Sequence, residues 1–521
     1  MRSAGVWETV AGLVMAFALL STVRGAETPP ESVGLTIYST AEPGAVPPEM
    51  YQPMQQEMAA YYGRSGGARQ IPGYAVVRQE RAIRLEPGRS TVRFTDVAAQ
   101  IDPTTVRFAS LTDPDGTRVL EQNYQFDLVS AEKVMHRYLD KPITVDQIRG
   151  DKVETITGTL LSTAGGMTLR TAEGGIVTLQ GWSTVRFPEL PGGLITKPTL
   201  VWDVSAARGG DHRVRVTYQT DGITWWADYN VVFAEGENAN RGRLDVGAWV
   251  SILNQSGAGY RDAKLKLIAG DVQRAPRREQ VVPHAAARML KAAPAEEAGF
   301  EEKAFFEYHL YTLGRPTTLP DNSTKQIELF TPASGVPAEK VLVYYGLGPE
   351  FRGFFPNPML DRNFGTQANK KVDIYLRFRN SEQNGLGIPL PKGRIRVSKL
   401  DPADGSLEFI GEDVIDHTPK DEQVLIRLGS AFDVVGERKQ LDFKVDTARH
   451  WMDETIEIKL RNHKQEPVEV IVKENLYRWV NWEITQKSHE FEKIDARTVH
   501  FPVRIDKDAE TTVRYSVHYT W

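Results

Sequence analysis

The chain has 521 residues, 41% hydrophobic and 25% charged, with 63 basic and 68 acidic side chains interspersed to a formal net charge of −5. These are ordinary globular proportions for roughly two to three domains, and no basic tract or acidic tail marks a nucleic-acid-binding or solvating arm. Cysteine is absent, which excludes disulfides, thiolate metal sites, c-type haem, a cysteine nucleophile and a lipoprotein's acylated cysteine.

Residues 1–25 read as a secretory signal peptide. Arg2 precedes an apolar run at residues 10–20, and Val23 and Gly25 are small residues suited to cleavage after Gly25. The run is shorter than the ~20 apolar residues that span a bilayer, and no later segment is apolar enough to cross as a helix. A transmembrane barrel needs a continuously apolar outer face, whereas Arg213, Arg215, Lys264 and Lys266 put charge on one face of their strands. The expectation is a mature chain starting near Ala26, periplasmic or extracellular, with no integral membrane span and no lipid anchor.

Residues 26–72 form an N-terminal segment with a short strand at 35–38 and a mobile stretch, 41–72, rich in Pro, Gln, Gly and Ala. Gly63-Arg64-Ser65-Gly66-Gly67 matches the nucleophile-elbow pattern. That pattern has meaning only between a strand and a helix with acid and histidine partners, and no apolar strand precedes it. Residues 73–142 read as a β region with strands at 74–78, 82–85, 91–94 and 106–111. The turn at 113–116 lacks the later ligands of a calcium loop. Ser130 is placed to cap a short helix whose apolar pairs, Val134/Tyr138 and Met135/Leu139, fall at i, i+4. In residues 143–198, short strands at 153–161, 167–171, 176–179 and 185–187 joined by Gly165-Gly166 and Gly174-Gly175 predict a small β-barrel-like module. A Pro/Gly connector, 188–198, closes it.

Residues 199–521 predict a β-sandwich domain, its centre at 213–270. Val214, Val216 and Tyr218 alternate with polar residues, the period of a half-buried strand. Asp221-Gly222 is a hairpin-turn signal. Ile223, Trp225, Ala227, Tyr229, Val231 and Phe233 then share one face, as do Leu244, Val246, Ala248, Val250 and Ile252 after a polar loop. Alternation at 263–269 completes a predicted antiparallel meander. Trp226 stands off this pattern, on the face of Thr224, Asp228 and Asn230; Trp249 is its analogue beside Asp245 and Ser251. Aligning the apolar faces sets Tyr229 opposite Val246 and Trp226 opposite Trp249, and a two-residue shift makes the two indoles diagonal neighbours. The second face either packs under another layer or presents an aromatic binding platform.

The segments VTYQTDGITWWADYNVVF (216–233), LNQSGAGYRDAKLKLIAGDV (253–272), HLYTLGRPTTLPDNSTKQIELF (309–330) and ENLYRWVNWEI (474–484) resemble the bacterial envelope family of domain of unknown function 4139, some of whose members are labelled mucoidy inhibitor A-like. The resemblance covers roughly residues 201–521. It implies a secreted or periplasmic β-rich protein and supplies no catalytic residues.

Residues 273–302 predict a flexible insertion, with a transient helical turn at 285–291. Strands are expected at 305–313, 325–330, 340–345 and 372–378, then at 390–400, 406–410, 424–428, 440–445, 455–461, 468–473, 482–485, 498–503 and 511–519. The long loop 346–370 carries Phe351, Phe354, Phe355 and Phe364; such a loop is either pinned by its own aromatics or functional.

The ten histidines are scattered, and no zinc-protease pair, phosphate loop or dinucleotide fingerprint occurs. No catalytic residue, metal ligand or cofactor is assigned. The reading is an all-β, antiparallel sandwich protein with very little helix that binds an envelope protein or glycan without catalysis. Its candidate binding residues are Trp226, Trp249, Asp228, Phe354 and Phe355. An envelope hydrolase acting on glycan or peptide, and a structural subunit joined through sheet edges, are the alternatives; oligomeric state is left open.

Overall fold

The computed structural model describes residues 24–26, 30–39, 41–44, 46, 51, 71–149, 152–238, 240–270, 272, 300–305, 308–348, 355–366, 368–401 and 403–521. It is all-β, about 65% strand and 2% helix. The expected signal sequence to residue 23, the segment 63–67, the helical turn at 285–291 and Phe354 lie outside the described residues.

The first strands are β1 (Arg24–Ala26), β2 (Ser32–Tyr38), β3 (Tyr74–Leu85), β4 (Gly88–Thr95), β5 (Ile101–Ser110) and β6 (Thr117–Gln125). Helix α1 (Ala131–Arg137) precedes β7 (Pro142–Arg149), β8 (Lys152–Ser162), β9 (Met167–Thr171), β10 (Ile176–Leu179) and β11 (Thr184–Arg186). Next come β12 (Thr199–Ala206), β13 (Gly210–Thr220), β14 (Ile223–Asn238), β15 (Arg241–Asn254) and β16 (Tyr260–Ala269). Then follow β17 (Phe300–Phe305), β18 (Tyr308–Leu313), β19 (Thr317–Leu319), β20 (Ser323–Tyr345), β21 (Lys371–Arg379), β22 (Gly393–Leu400) and β23 (Leu407–Ile415). The last are β24 (Gln423–Asp446), β25 (Trp451–Asn462), β26 (Val468–Asn475), β27 (Trp482–Lys487), β28 (Glu492–Lys493), β29 (Thr498–Ile505) and β30 (Ala509–Thr520). The chain divides into two compact units: Met1–Gly34, Val76–Thr220 and Ser256–Tyr260 form one, and Leu35–Ala75, Asp221–Gln255 and Arg261–Trp521 the other.

In the first unit, β12 lies antiparallel between β4 and β6, with β1 parallel to β4 at the edge. The expected cleavage point, Gly25, falls within β1. Leu200, Trp202, Val204 and Ala206 alternate inward from β12, and Trp202 packs between Phe94 and Phe108, each 5.2 Å away centroid to centroid. β7 to β11 build an antiparallel sheet of their own in the order β10-β9-β8-β7-β11. It follows the glycine-turn rhythm of the sequence but stays an open sheet, not a closed barrel. Its core of Val145, Leu160, Met167, Leu169 and Leu179 is closed by Val134 on α1 and Tyr138 at the helix C-cap. Ser130 caps α1 by accepting from Lys133 N at 3.2 Å.

The predicted meander at 213–270 is corrected. Only β14 and β15 pair as a hairpin; β13 pairs with β5, and β16 with β18. Asp221-Gly222 does turn the chain, with Gly222 at φ 78°, but the strands on its two sides do not pair. Alternation fixes which face of a strand is buried and leaves its partner undetermined.

In the second unit the order β23-β22-β14-β15-β20-β21-β24-β25-β30-β27 makes a long sheet. It curls so that β23 comes back against β24. Arg427 N donates to the Asp413 carboxylate at 2.7 Å there, and a Cβ on Gly411 would stand 2.6 Å from the Leu428 carbonyl oxygen. Further along, β20 also pairs with β26, and β26 with β29. Ile456, Ile458 and Tyr515 on β25 and β30 meet Val470, Val472 and Phe501 on β26 and β29 in one buried core, the face-to-face packing of a sandwich. Several strands expected as separate pieces are continuous: β3, β20 and the 24-residue β24. Bulges in the latter two absorb the breaks in alternation.

Two loop expectations change. Ala41, Val46 and Ile71, from the stretch read as mobile, are buried against Leu253. The insertion expected to run to residue 302 gives way to β17 at Phe300. Among the described residues no helix is long and apolar enough to cross a membrane.

Candidate functional site

The second face of β14 and β15 changes along its length. Thr224, Ser251 and Leu253 are buried, Trp226 is half-buried, and Asn230, Trp249 and Asp245 are exposed. The buried end is where Ala41, Val46 and Ile71 pack onto Leu253, with Tyr51 and Trp226 beside them. Where this cover ends, an open cleft of about 520 Å³ begins.

Trp226 and Asp228 project into the cleft from β14 because they are two residues apart on one strand face. The Trp226 indole Nε1 donates to Asp228 Oδ2 at 2.7 Å, and the Tyr51 ring lies 5.8 Å from the indole, tilted by 43°. With its N–H occupied, Trp226 offers the cleft its apolar ring surface. Ser251 Oγ, directly across from Trp226 on β15, also donates to Asp228 Oδ2, at 3.3 Å, and accepts from Gln326 Nε2 at 3.1 Å.

The other wall comes from β22, which runs parallel to β14 and sets Arg394 beside Asp228 and Arg396 beside Asn230. Arg396 reaches Asp228 Oδ1 at 3.5 Å and Glu412 at 3.4 Å. Lys392 Nζ donates to Glu42 Oε1 at 2.8 Å. Glu42 and Asp228, the described acids lining the cleft, are therefore both engaged with neighbouring side chains.

The hairpin register places Trp226 opposite Ser251 and Asp228 opposite Trp249. It is two residues from the register that sets the indoles face to face, so they are diagonal. Val231 consequently faces Val246, and Tyr229 faces Ala248. A register shift between Glu235 and Asn238 lies at the turn end of the hairpin. Trp249 is 41% exposed on the same sheet face and does not line the cleft.

Phe355 belongs to a different setting. Its ring meets Phe364 edge-on at 5.3 Å, and Phe364 in turn packs on Tyr477. The fully buried Arg478 donates to the carbonyls of Met359 and Asp361, both at 2.9 Å, and Phe364 at 3.3 Å; it also ion-pairs with buried Glu454 at 3.0 Å. Arg438 donates to Glu474 at 2.9 Å and to the Gly365 carbonyl at 3.3 Å. Burial disfavours the Arg438 charge, but Glu474 beside it, together with Tyr515, Glu454 and Tyr477, more than compensates, holding its pKa well above the ordinary guanidinium value. These arginines fasten the loop to the sandwich core, and Phe355 is part of that fastening.

A buried serine–histidine contact lies away from the cleft. Ser110 Oγ lies 3.1 Å from His212 Nδ1, while His212 Nε2 faces the Arg208 carbonyl at 3.1 Å. That carbonyl places the ring proton on Nε2. Both side chains are enclosed, at 1% and 2% exposure, so the pair ties the end of β5 to the start of β13 and offers a substrate no approach. Among the described residues no group of three or more His, Asp or Glu side chains gathers to hold a metal ion.

Sequence reading singled out Trp226 and Asp228 and missed Tyr51, Ser251, Gln326 and Arg394. Arg394-Ile395-Arg396-Val397 does alternate charged and apolar residues, the mark of a strand with one wet face, but nothing local says which strand lies beside it. No known family model, curated protein or solved structure matches the chain.

Proposed function

We propose that this is an exported, non-catalytic binding protein of the cell envelope that holds a glycan in the Trp226 cleft. The observation that carries the reading is the anchored aromatic ring: Trp226, fixed by Asp228 and flanked by Tyr51, in an open cleft otherwise lined largely by hydroxyl, amide and guanidinium groups. An apolar ring surface beside convergent polar groups suits a sugar, whose ring faces are apolar and whose edges carry hydroxyls. The engagement of both lining acids favours binding over hydrolysis, which needs one carboxyl group free to donate a proton and a second to act as base or nucleophile. Export is supported by the apolar run at residues 10–20 and by the resemblance to the 4139 envelope family.

Glycan-array screening of the mature protein, followed by calorimetric titration of the best oligosaccharide, tests the reading. Trp226→Ala is expected to weaken binding at least tenfold. Equal affinity in wild type and variant would place the ligand elsewhere, and a protein partner captured with no glycan bound would replace the glycan.

A further inference from the structure

We infer that the glycan is acidic, and that Arg394 receives its carboxylate; this rests on the Trp226 cleft being the binding site. Three cations stand in alternate positions here, Lys392 just before β22 and Arg394 and Arg396 on the strand, where the two arginines line the cleft. Lys392 is matched by Glu42, and Arg396 by Asp228 and Glu412. Arg394, between them, has no carboxylate within ion-pair distance among the described residues, although the strand register sets it beside Asp228. Asp228 is held away by its other bonds: one oxygen accepts from Trp226 and Ser251, and the other faces Arg396.

The Arg394 guanidinium is half-buried and lines the cleft with Trp226. Its Nη2 lies against Gly44, where a Cβ would stand 3.2 Å from it, and Gly44 has a φ of +80° that disfavours any side chain. The backbone there leaves room for the guanidinium head. A planar fork of N–H donors beside an aromatic ring is matched by a ring sugar bearing a carboxylate: the ring packs on the indole while the carboxylate takes the fork bidentately. A neutral sugar would leave the guanidinium to water, and an acidic peptide would gain the ion pair without presenting a sugar ring to Trp226.

The test uses three probes on the full mature protein: a galacturonate oligomer, the galactose oligomer of equal length, and an acidic peptide with a free C-terminal carboxylate. Wild type is expected to bind the galacturonate at least tenfold tighter than the galactose oligomer at low salt, the size of effect a charge-assisted bond gives, and to bind the peptide no better than galactose. Arg394→Gln should reduce galacturonate binding toward the galactose level, lower galactose affinity far less, and leave the melting temperature unchanged. Arg394→Lys, which keeps the charge but loses the fork, should fall between. Equal binding of the two oligomers, with both lost in Trp226→Ala, overturns the acidic-ligand inference and leaves the glycan reading standing. Binding of the peptide above both oligomers overturns the choice of a glycan. Galacturonate preference that survives Arg394→Gln overturns the role of Arg394.

Discussion

Arg478 and Arg394 lie in the same unit and are put to opposite uses. Arg478 is fully enclosed, its Nη1 and Nη2 donating to the carbonyls of Met359, Asp361 and Phe364 and to Gln440, with Glu454 beside it. Arg394 is half-exposed, in a cleft where the neighbouring acids are engaged by other cations. A buried guanidinium must have its partners built into the fold, because an uncompensated buried charge costs several kcal/mol. A half-exposed one is sustained by water until a ligand displaces it. The contrast separates two kinds of aromatic cluster as well: Phe355, Phe364 and Tyr477 secure a loop, while Trp226 and Tyr51 border open space.

The sharpest way to break the comparison is to remove the enclosed arginine. Arg478→Ala is expected to cost about 3–5 kcal/mol, because it strands Glu454 and frees the loop; urea unfolding of the protein measures it. An unfolding curve like that of wild type would mean the clamp holds nothing. Next in size is the closure of the curled sheet. Gly411→Val should cost about 1–3 kcal/mol through the clash with the Leu428 carbonyl in the same assay, without changing sugar affinity. If affinity falls too, the cleft depends on the curl as well as on its own side chains.

The two indoles sharpen the contrast at smaller scale. Trp226→Ala should lower stability by about 1–2 kcal/mol from its partly buried surface in addition to weakening ligand binding. Trp249→Ala should stay within about 0.5 kcal/mol of wild type, as exposed substitutions usually do. A larger loss at Trp249 would show that it is covered in solution. The smallest effect is a pH dependence. Burial pulls the His500 imidazole below its ordinary pKa, and Lys473 adds to the pull. Its neutral form is therefore favoured in the fold. Stability is complete above the ordinary histidine value, about 6.5, and declines as pH falls from there toward the lowered folded value. His500→Gln should flatten that decline in melts between pH 7 and pH 5; an unchanged slope would assign it to other groups.

What the sequence made legible follows from what local patterns encode. Ser130 before an i, i+4 apolar pair located α1, and glycine pairs punctuated β8 to β10 close to their observed ends. Alternation put Trp226, Asp228 and Trp249 on one face, as the register confirms. Partners were not legible. The strand pattern of 199–206 passed unread behind a Pro/Gly connector, and Asp221-Gly222 looked like a hairpin because a turn signal does not reveal whether its flanks pair. Ala41, Val46 and Tyr51 sit in proline- and glycine-rich sequence, where composition speaks for mobility and says nothing of a few anchoring contacts. Arg394 became a candidate only once β22 was found parallel to β14, with 166 residues between the paired positions Asp228 and Arg394 (394 − 228 = 166).

The central claim is that the ligand binds at the Trp226 cleft and not at the aromatic loop. Hydrogen–deuterium exchange of the protein with and without a bound galacturonate oligomer tests it most directly. Added protection is expected in peptides covering Trp226 to Asp228 and Arg394 to Arg396, with none across residues 355–366. Protection confined to 355–366, with the β14 and β22 peptides unchanged, would contradict it.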